Sequence, residues 1–210
     1  MGSINVVVSG VRGRMGQEVL NSVCKEPDLT PLAGSDILGG TSIDLPDGTG
    51  SIPVSIDLKD ILETANVVVD FTNADGAMSS IRIASADKTN VVVGSTGLSQ
   101  ENYQEASDLA DANGTGIIIA PNFALGAVVM THLVKEAARF FDFADLTEMH
   151  HEAKIDAPSG TAIAMANAAV EGRGKPFIGP SADKELIEGT RGGSLSGVTF
   201  HSALMPGRVA

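Results

Sequence analysis

The pattern that most restricts the fold of this chain is an apolar run that leads directly into a glycine-rich turn. Residues 4–9 are almost continuously apolar, which is typical of a central strand covered on both faces of a parallel sheet. The turn over residues 10–16 has the spacing G-x-x-G-x-x-G, and a helical pattern occupies residues 17–25. Strand, glycine turn and helix together predict either a plain tight turn or a site for the pyrophosphate of a dinucleotide. The candidate residues for that site are Gly10, Arg12, Gly13, Arg14, Met15 and Gly16.

Short apolar strands continue to alternate with helices beyond this turn. This alternation is typical of a doubly wound parallel sheet. It predicts an α/β, Rossmann-type dinucleotide-binding domain over residues 1–122. The predicted strands are 30–35, 67–72, 91–93 and 116–120, the predicted helices are 59–64, 78–88 and 100–113, and the Gly-, Asp- and Ser-rich residues 39–54 are predicted to form a surface loop.

An acidic residue ends the second predicted strand. Asp36 lies 20 residues beyond Gly16 (36 − 16), where a carboxylate accepts hydrogen bonds from the adenosine ribose of a dinucleotide. The next residue is Ile37 rather than a basic residue, and a carboxylate repels a 2′-phosphate. These two residues favour NADH, whereas Arg12 in the glycine turn leaves NADPH open. The predicted cofactor is therefore NADH, NADPH or both, with a preference for NADH.

Polar or glycine-bearing segments follow three of the predicted strands. Ligands of open α/β sheets bind at the carboxyl ends of the strands, so these segments are candidates for the cofactor site. Ordinary turn chemistry explains any one of them equally well. The residues concerned are Phe71, Thr72, Gly94, Ser95, Thr96, Pro121, Asn122 and Phe123.

The densest group of chemically reactive side chains lies between a predicted strand at residues 143–149 and a predicted helix at residues 161–170. Here His150, His151 and Lys154 precede the segment Asp-Ala-Pro-Ser-Gly-Thr of residues 156–161. A capping Asp or Ser, an early Pro and a Gly are typical of a helix start, and free N–H groups at such an end bind anions. Lys154 adds a positive charge, and the two histidines are proton donors near neutral pH. The segment therefore predicts a pocket for a carboxylate-bearing substrate with an acid beside it.

The run His-His-x-x-Lys-x-Asp-Ala-Pro-Ser-Gly-Thr-Ala over residues 150–162 resembles the substrate-site signature of the 4-hydroxy-tetrahydrodipicolinate (dihydrodipicolinate) reductases. The same family carries the Gly-Arg-Met-Gly ending of residues 13–16. The resemblance implies NAD(P)H-dependent reduction of a cyclic imine dicarboxylate in lysine and diaminopimelate biosynthesis. It also implies a homotetramer formed through the sheet of the second domain.

The resemblance further assigns roles to individual residues. It implies that His150 donates the proton, with Lys154 as a second catalytic residue, and that the strand-end segments contact the nicotinamide side of the cofactor. Two histidines without a third ligand at a recognisable spacing do not predict a metal site. The substrate carboxylates would be bound by His151, Lys154, Ser159, Gly160 and Thr161.

The second half of the chain has a different pattern from the first. A long helix predicted at residues 125–141 precedes the reactive segment, and residues 197–204 alternate like a strand of an open sheet. We expect residues 123–210 to form an α+β domain with an open mixed sheet for substrate binding and oligomerisation. In the resembled family further strands follow this point, so the sequence is expected to be incomplete at its C-terminal end.

Composition limits the classes of partner and the cell compartment. The formal net charge is −12, which argues against nucleic acids and anionic membranes as partners. The N-terminus shows no cationic region or cleavage site, no run of residues is apolar enough to span a membrane, and Cys24 is the single cysteine. These features predict a cytoplasmic protein.

Two alternatives to the reductase stay open at this point. One is a nucleotide-binding protein without turnover, and the other is a different two-domain NAD(P)-dependent oxidoreductase. A phosphorylating semialdehyde dehydrogenase needs a nucleophilic cysteine at a strand end, whereas Cys24 lies in the first predicted helix. That form of the second alternative therefore fails.

Overall fold

In a computed structural model, residues 2–120, 122–180 and 182–207 are described. The chain divides into two compact units, residues 1–121 and residues 122–210. Pro121, one of the predicted cofactor residues, lies outside the described residues, as do the last three residues of the predicted second domain. No helix within the described ranges is long and apolar enough to cross a membrane. The cytoplasmic location stays a prediction.

The first unit contains a seven-stranded sheet with helices between its strands. The strand order is β3-β4-β2-β1-β5-β6-β7, and every pairing is parallel except that of β3 with β4. This arrangement confirms the predicted Rossmann-type sheet. The elements are β1 Ile4–Ser9, α1 Arg14–Lys25, β2 Leu29–Ser35, β3 Ser42–Asp44, β4 Ser51–Ser55, a 3₁₀ helix Leu58–Ile61, β5 Val67–Asp70, α2 Ala74–Ala86, β6 Asn90–Val93, α3 Gln100–Asn113 and β7 Ile117–Ile119.

Strand β1 is apolar throughout because both of its faces are covered. Val7 belongs to the core cluster that contains Val68 and Ile81, on one side of the sheet. Val6 and Val8 belong to the second cluster, which contains residues of α1 and β4. Successive side chains of a strand point to opposite faces, so a strand between two cores needs apolar residues at odd and even positions alike.

The prediction of a surface loop at residues 39–54 is wrong. This segment contains β3 and most of β4, which form an antiparallel hairpin that adds β4 to the edge of β2. The side chains of Ile52 and Val54 are buried against the core beside α1, and this burial stabilises the hairpin. The two strands are so short, and so surrounded by Gly, Asp and Ser residues, that the alternation of apolar and polar residues in them is not recognisable from the sequence.

The second unit packs two helices beside a three-stranded sheet of order β8-β10-β9. Strands β8 and β10 are parallel and β9 is antiparallel to β10, which confirms the predicted open mixed sheet. The helices approach closely, since a Cβ on Gly172 would lie 1.9 Å from the carbonyl oxygen of Lys135. The elements are α4 Leu125–Ala138, β8 Asp145–His150, α5 Gly160–Arg173, β9 Gly193–Leu195 and β10 Val198–Leu204.

Several predicted element boundaries differ from the observed ones, and capping explains two of them. Helix α2 begins at Ala74 rather than residue 78 because the side chain of Asn73 accepts a hydrogen bond from the Gly76 N–H. Helix α5 begins one residue before the predicted start, since Ser159 caps it through Ala162. Helix α4 ends at Ala138, three residues before the predicted end at residue 141.

Candidate active site

The glycine turn of the first unit brings the start of α1 close to the end of β1. Gly10 has a positive φ of 77°, which an L side chain rarely adopts. A Cβ on Gly16 would lie 2.1 Å from the carbonyl oxygen of Gly10, so only glycine permits this approach. Gly13 caps α1 without a side-chain hydrogen bond, which leaves first-turn N–H groups for an anion. This geometry fits the pyrophosphate of a dinucleotide.

Asp36 and Arg12 are joined at the carboxyl ends of β1 and β2. The Asp36 carboxylate accepts hydrogen bonds from the backbone N–H groups of Arg12 and Leu38, each at 3.0 Å. The Arg12 guanidinium donates to the carbonyl oxygens of Gly39 at 2.9 Å and Ser42 at 3.2 Å. Asp36 lines a cavity of about 600 Å³ together with two further carboxylates, Asp57 and Asp75.

The carboxyl ends of β5 and β6 are organised by Asp70, which the sequence prediction missed. Its side chain is fully buried. Oδ1 accepts from the hydroxyls of Thr72 at 2.9 Å and Ser95 at 2.8 Å, and Oδ2 accepts from the Ser80 hydroxyl at 2.7 Å. The Phe71 ring packs on Gly94, where a Cβ would lie 2.1 Å from it.

The structure therefore brings four predicted cofactor residues together at these strand ends, namely Phe71, Thr72, Gly94 and Ser95. Thr96 is exposed beside them, and Asn122 and Phe123 belong to the other unit. The sequence does contain a signal for Asp70, since it is an acidic residue at the end of a continuous apolar strand.

The start of α5 in the second unit presents free backbone N–H groups. The Ser159 hydroxyl accepts from the Ala162 N–H at 3.1 Å, and the Ser159 N–H donates to Oε1 of Glu148 at 2.8 Å. The Ser159 N–H is thus used within the protein, whereas its hydroxyl only accepts and keeps its own hydrogen to donate. Among the described residues, the N–H groups of Gly160 and Thr161 have no acceptor. The Thr161 Oγ1 accepts from Nδ2 of Asn122 at 3.1 Å, which leaves its own hydrogen to donate.

His150 is the last residue of β8 and lines a cavity of about 760 Å³. The same cavity is lined by Asn122, Glu148, Ser159 and Thr161, among others. The Nδ1 atom of His150 is buried, has no hydrogen-bond partner within the described part of the chain, and lies 3.8 Å from Oε2 of Glu148. His150, Ser159 and Thr161 therefore line one cavity.

His151 and Lys154 lie on the loop between β8 and α5, outside the lining of this cavity. Strand β8 ends at His150, so His151 is the first residue of the loop that follows the strand. Its side chain is exposed. The Lys154 ammonium is paired with Asp156 and holds the pKa of that carboxyl below its usual range.

Glu148 is the second residue that the sequence prediction missed. Its Oε1 also accepts from the Ser202 hydroxyl of β10 at 2.7 Å. Burial by itself would raise the pKa of this carboxyl, but the hydrogen bonds from Ser159 and Ser202 and the nearby His150 outweigh burial and lower it. The only signal in the sequence is an acid two residues before a histidine in a strand, which places both on one face.

Groups of three or more His, Cys, Asp or Glu side chains that could hold a metal ion do not occur among the residues that the structure describes. The polar groups of the two sites are instead hydroxyls, backbone N–H groups, carboxylates and one imidazole.

Both units match models of known protein families. Residues 4–123 match the model described as "Dihydrodipicolinate reductase, N-terminus", and residues 126–209 match "Dihydrodipicolinate reductase, C-terminus". The chain is 47% identical over 213 residues to a 4-hydroxy-tetrahydrodipicolinate reductase of Dehalococcoides mccartyi, which covers all of this chain and 80% of that relative. It is 37% identical over 214 residues to the enzyme of that name from Moorella thermoacetica, covering 99% and 79% of the two chains.

A solved structure resembles the whole chain. It is described as a dipicolinate-bound dihydrodipicolinate reductase from Paenisporosarcina sp. TG-14, with 34% sequence identity and a TM-score of 0.79. The match covers 99% of this chain and 80% of that one. A structure of GenD2 in complex with NAD, with 20% identity and a TM-score of 0.60, shares the fold.

Proposed function

Since this chain belongs to the dihydrodipicolinate reductase family and catalyses the 4-hydroxy-tetrahydrodipicolinate reductase reaction of lysine biosynthesis, we propose how its residues divide the work. Residues 1–122 bind the dinucleotide, and residues 123–210 bind the substrate and hold the proton donor. The alternative of a binding protein without turnover is set aside by this membership. So is the alternative of a different two-domain oxidoreductase.

The substrate is a small dicarboxylate, and we place one of its carboxylates at the start of α5. The relative from Paenisporosarcina is described with dipicolinate bound, which is a planar ring with two carboxylates. The free N–H groups of Gly160 and Thr161 and the free hydrogen of the Thr161 hydroxyl point to an anion of this kind. Lys154 and His151, on the adjoining loop, add charge and a further donor when the substrate draws Lys154 away from Asp156.

His150 is the proton donor in this proposal. When bound, NADH or NADPH would supply a hydride to a ring carbon of the substrate, which would leave negative charge on the neighbouring ring position. His150 lines the same cavity as Thr161, so it can protonate that position while α5 holds the carboxylate. The Nδ1 side of its ring is buried against Glu148, so Nε2 is the atom that transfers the proton. General acid catalysis of this kind contributes roughly 10²–10⁴-fold to the rate.

NADH is the preferred cofactor. The cavity beside the glycine turn is lined by the carboxylates of Asp36, Asp57 and Asp75, which would repel a 2′-phosphate. The nearby Arg12 guanidinium does not line this cavity, and two of its five N–H groups donate to the carbonyl oxygens of Gly39 and Ser42. Ile37 places no charge there, and its side chain is 91% exposed.

The enzyme is proposed to be a homo-oligomer, and a tetramer in particular. The second unit exposes large apolar side chains on α4 and on the segment after it, including Leu133 at 60%, Phe140 at 78% and Phe143 at 59%. Contiguous apolar surface of this kind is typical of an interface. Light scattering after gel filtration gives the mass directly, and a monomer at micromolar concentration would contradict this part of the proposal.

The observation that carries the proposed mechanism is that His150 and the start of α5 line one cavity. The test follows the absorbance of NADH or NADPH while the preceding synthase makes the substrate from pyruvate and aspartate semialdehyde. We expect oxidation that requires both synthase substrates and is faster with NADH than with NADPH. Cofactor binding by calorimetry without such oxidation would contradict the proposed function of this chain.

A further inference from the structure

The carboxylate of Glu148 joins three elements of the second unit. It extends from β8, accepts a hydrogen bond from the Ser159 N–H that precedes α5, and accepts a second from the Ser202 hydroxyl on β10. Glu148 and Ser202 are also direct partners in the pairing of β8 with β10. These contacts use Oε1, whereas Oε2 faces His150 Nδ1 at 3.8 Å. One side chain therefore touches both functional parts of the cavity through different oxygen atoms.

The bond to Ser159 determines which N–H groups of the helix start are left for a ligand. Four N–H groups at the start of a helix lack partners within the helix. Here the Glu148 carboxylate accepts a hydrogen bond from the N–H of Ser159, just before the helix. The Ser159 hydroxyl accepts one from the N–H of Ala162. In the described part of the chain, those of Gly160 and Thr161 are left without an acceptor. Glu148 thus fixes the orientation of the turn that presents these two groups.

The second oxygen of Glu148 provides the negative charge closest to the His150 ring. At 3.8 Å the contact with Nδ1 is too long for a hydrogen bond, so the interaction is electrostatic. Strand alternation places residues 146, 148 and 150 on one face, and Leu146 packs in the core formed with α5. This packing holds the face in place. Because its pKa is lowered, the Glu148 carboxyl is ionised near neutral pH.

The other charged groups around His150 come from β8 and from the loop that follows it. Asp145 at the start of β8 lines the same cavity, and Asp156, which is paired with Lys154, interacts electrostatically with His150. The residues of α4, α5 and β10 that line the cavity are uncharged. Glu148 is therefore the acid in contact with the buried side of the ring.

We propose that Glu148 is a positioning residue, which holds the His150 imidazole through one oxygen and the carboxylate-binding turn before α5 through the other. The carboxylate oxygen Oε2 beside Nδ1 keeps that side of the ring turned inward, so that Nε2 faces the substrate. The bond from Ser159 to Oε1 sets the direction of the Gly160 and Thr161 N–H groups. This inference rests on the proposed function of His150 as proton donor.

Two conservative variants separate these two effects. Glu148→Gln keeps an oxygen that accepts from Ser159 and Ser202 but removes the charge beside His150. We expect kcat to fall about tenfold, with little change in the substrate KM, because the imidazole loses the carboxylate that orients it. Glu148→Asp keeps the charge, but the shorter side chain no longer reaches Ser159. For it we expect a raised substrate KM and a smaller loss of kcat than in Glu148→Gln.

Matched controls distinguish positioning from a general effect on folding. Glu152→Gln makes the same change in net charge on an exposed residue and should leave kcat and the substrate KM unchanged. Combined with His150→Ala, Glu148→Gln should lower kcat no further, because its effect passes through the imidazole. Affinity for NADH, measured by calorimetry, should match the parent in every variant.

Three outcomes would overturn the inference while the parent enzyme is active. One is a parent-like kcat and substrate KM in both Glu148 variants. Another is an equal loss of kcat and rise of KM in both, with a lowered melting temperature. The third is an additive effect of Glu148→Gln on the His150→Ala background. If instead the parent enzyme itself oxidises no NADH in the coupled assay, the proposed function fails, independently of Glu148.

Discussion

The Asn122 side chain donates from Nδ2 to the Thr161 Oγ1 at 3.1 Å, and its own oxygen accepts from the Ala124 N–H at 2.8 Å. This pair connects the segment before α4 to the first turn of α5. Because Asn122 supplies a donor, the Thr161 hydroxyl directs its own hydrogen elsewhere. Asn122 was predicted to contact the cofactor, and in the second unit its amide contacts a proposed substrate-binding residue.

Replacing the proton donor should slow the reaction without weakening cofactor binding. His150→Ala removes the imidazole that lines the cavity, so we expect kcat to fall roughly 10²–10⁴-fold. Coupled assays and calorimetry with NADH measure the two quantities. His132→Ala, an exposed histidine of α4, is the matched control and should behave as the parent. A parent-like turnover in His150→Ala would remove the assigned role.

Loss of the loop lysine should mainly weaken substrate binding. Lys154 pairs with Asp156 in the structure, and in the complex we expect its ammonium to move to the substrate carboxylate. Lys154→Ala should therefore raise the substrate KM roughly 10- to 100-fold, as expected for a charge-assisted hydrogen bond, and should also lower kcat. Lys175→Ala changes the same charge at an exposed position. A KM for Lys154→Ala equal to that of the Lys175 control would argue against the contact.

A single basic residue beside Asp36 should change the cofactor preference. Ile37 is 91% exposed, so the longer side chain of Ile37→Arg fits without disturbing the core. Its guanidinium can bind a 2′-phosphate and offset the nearby carboxylates. We expect the ratio of kcat/KM for NADPH to that for NADH to rise by about tenfold or more. Ile37→Gln, of similar length but uncharged, should leave the ratio nearly unchanged, and an equal rise in both variants would exclude charge as the cause.

The buried Asp70 should contribute strongly to the stability of the first unit. In Asp70→Ala the hydroxyls of Thr72, Ser80 and Ser95 lose an acceptor. Buried donors left without partners are costly, so we expect the free energy of unfolding to fall by at least about 2 kcal/mol. Urea unfolding measures this change. Asp70→Asn keeps one oxygen as an acceptor and should lose less, and an equal loss in both would contradict this account.

Acid should remove the stabilisation that Glu148 provides. Its pKa is lower in the folded protein than in the unfolded chain, so the unfolded chain binds the proton more tightly. The stabilisation is therefore complete above the unfolded pKa and is lost as the pH falls through the folded one. The difference in unfolding free energy between the parent and Glu148→Gln should be largest near about pH 6 and should shrink below about pH 4. A difference that is constant over this range would show that the charge is not the cause.

Local patterns in the sequence determined a large part of this structure. The continuous apolar residues of β1 require a strand between two cores, and the glycine spacing predicts the close approach of α1 to β1. Likewise, Ser159 was identified as a possible helix cap from its neighbours alone. These features depend on residues within a few positions of each other, so hydrophobic periodicity and backbone preferences are sufficient to predict them.

Only the tertiary structure decided which side chains support the candidate sites. Ser202 contacts Glu148 from 54 residues away, Ser95 contacts Asp70 from 25 residues away, and Asn122 contacts Thr161 from 39 residues away. The hairpin of β3 and β4 was missed for a similar reason, since burial against α1 and pairing with β2 stabilise its short strands. Such contacts depend on how strands and helices pack, and an acid within a strand has the same local pattern whether it is solvated or lies against a buried imidazole.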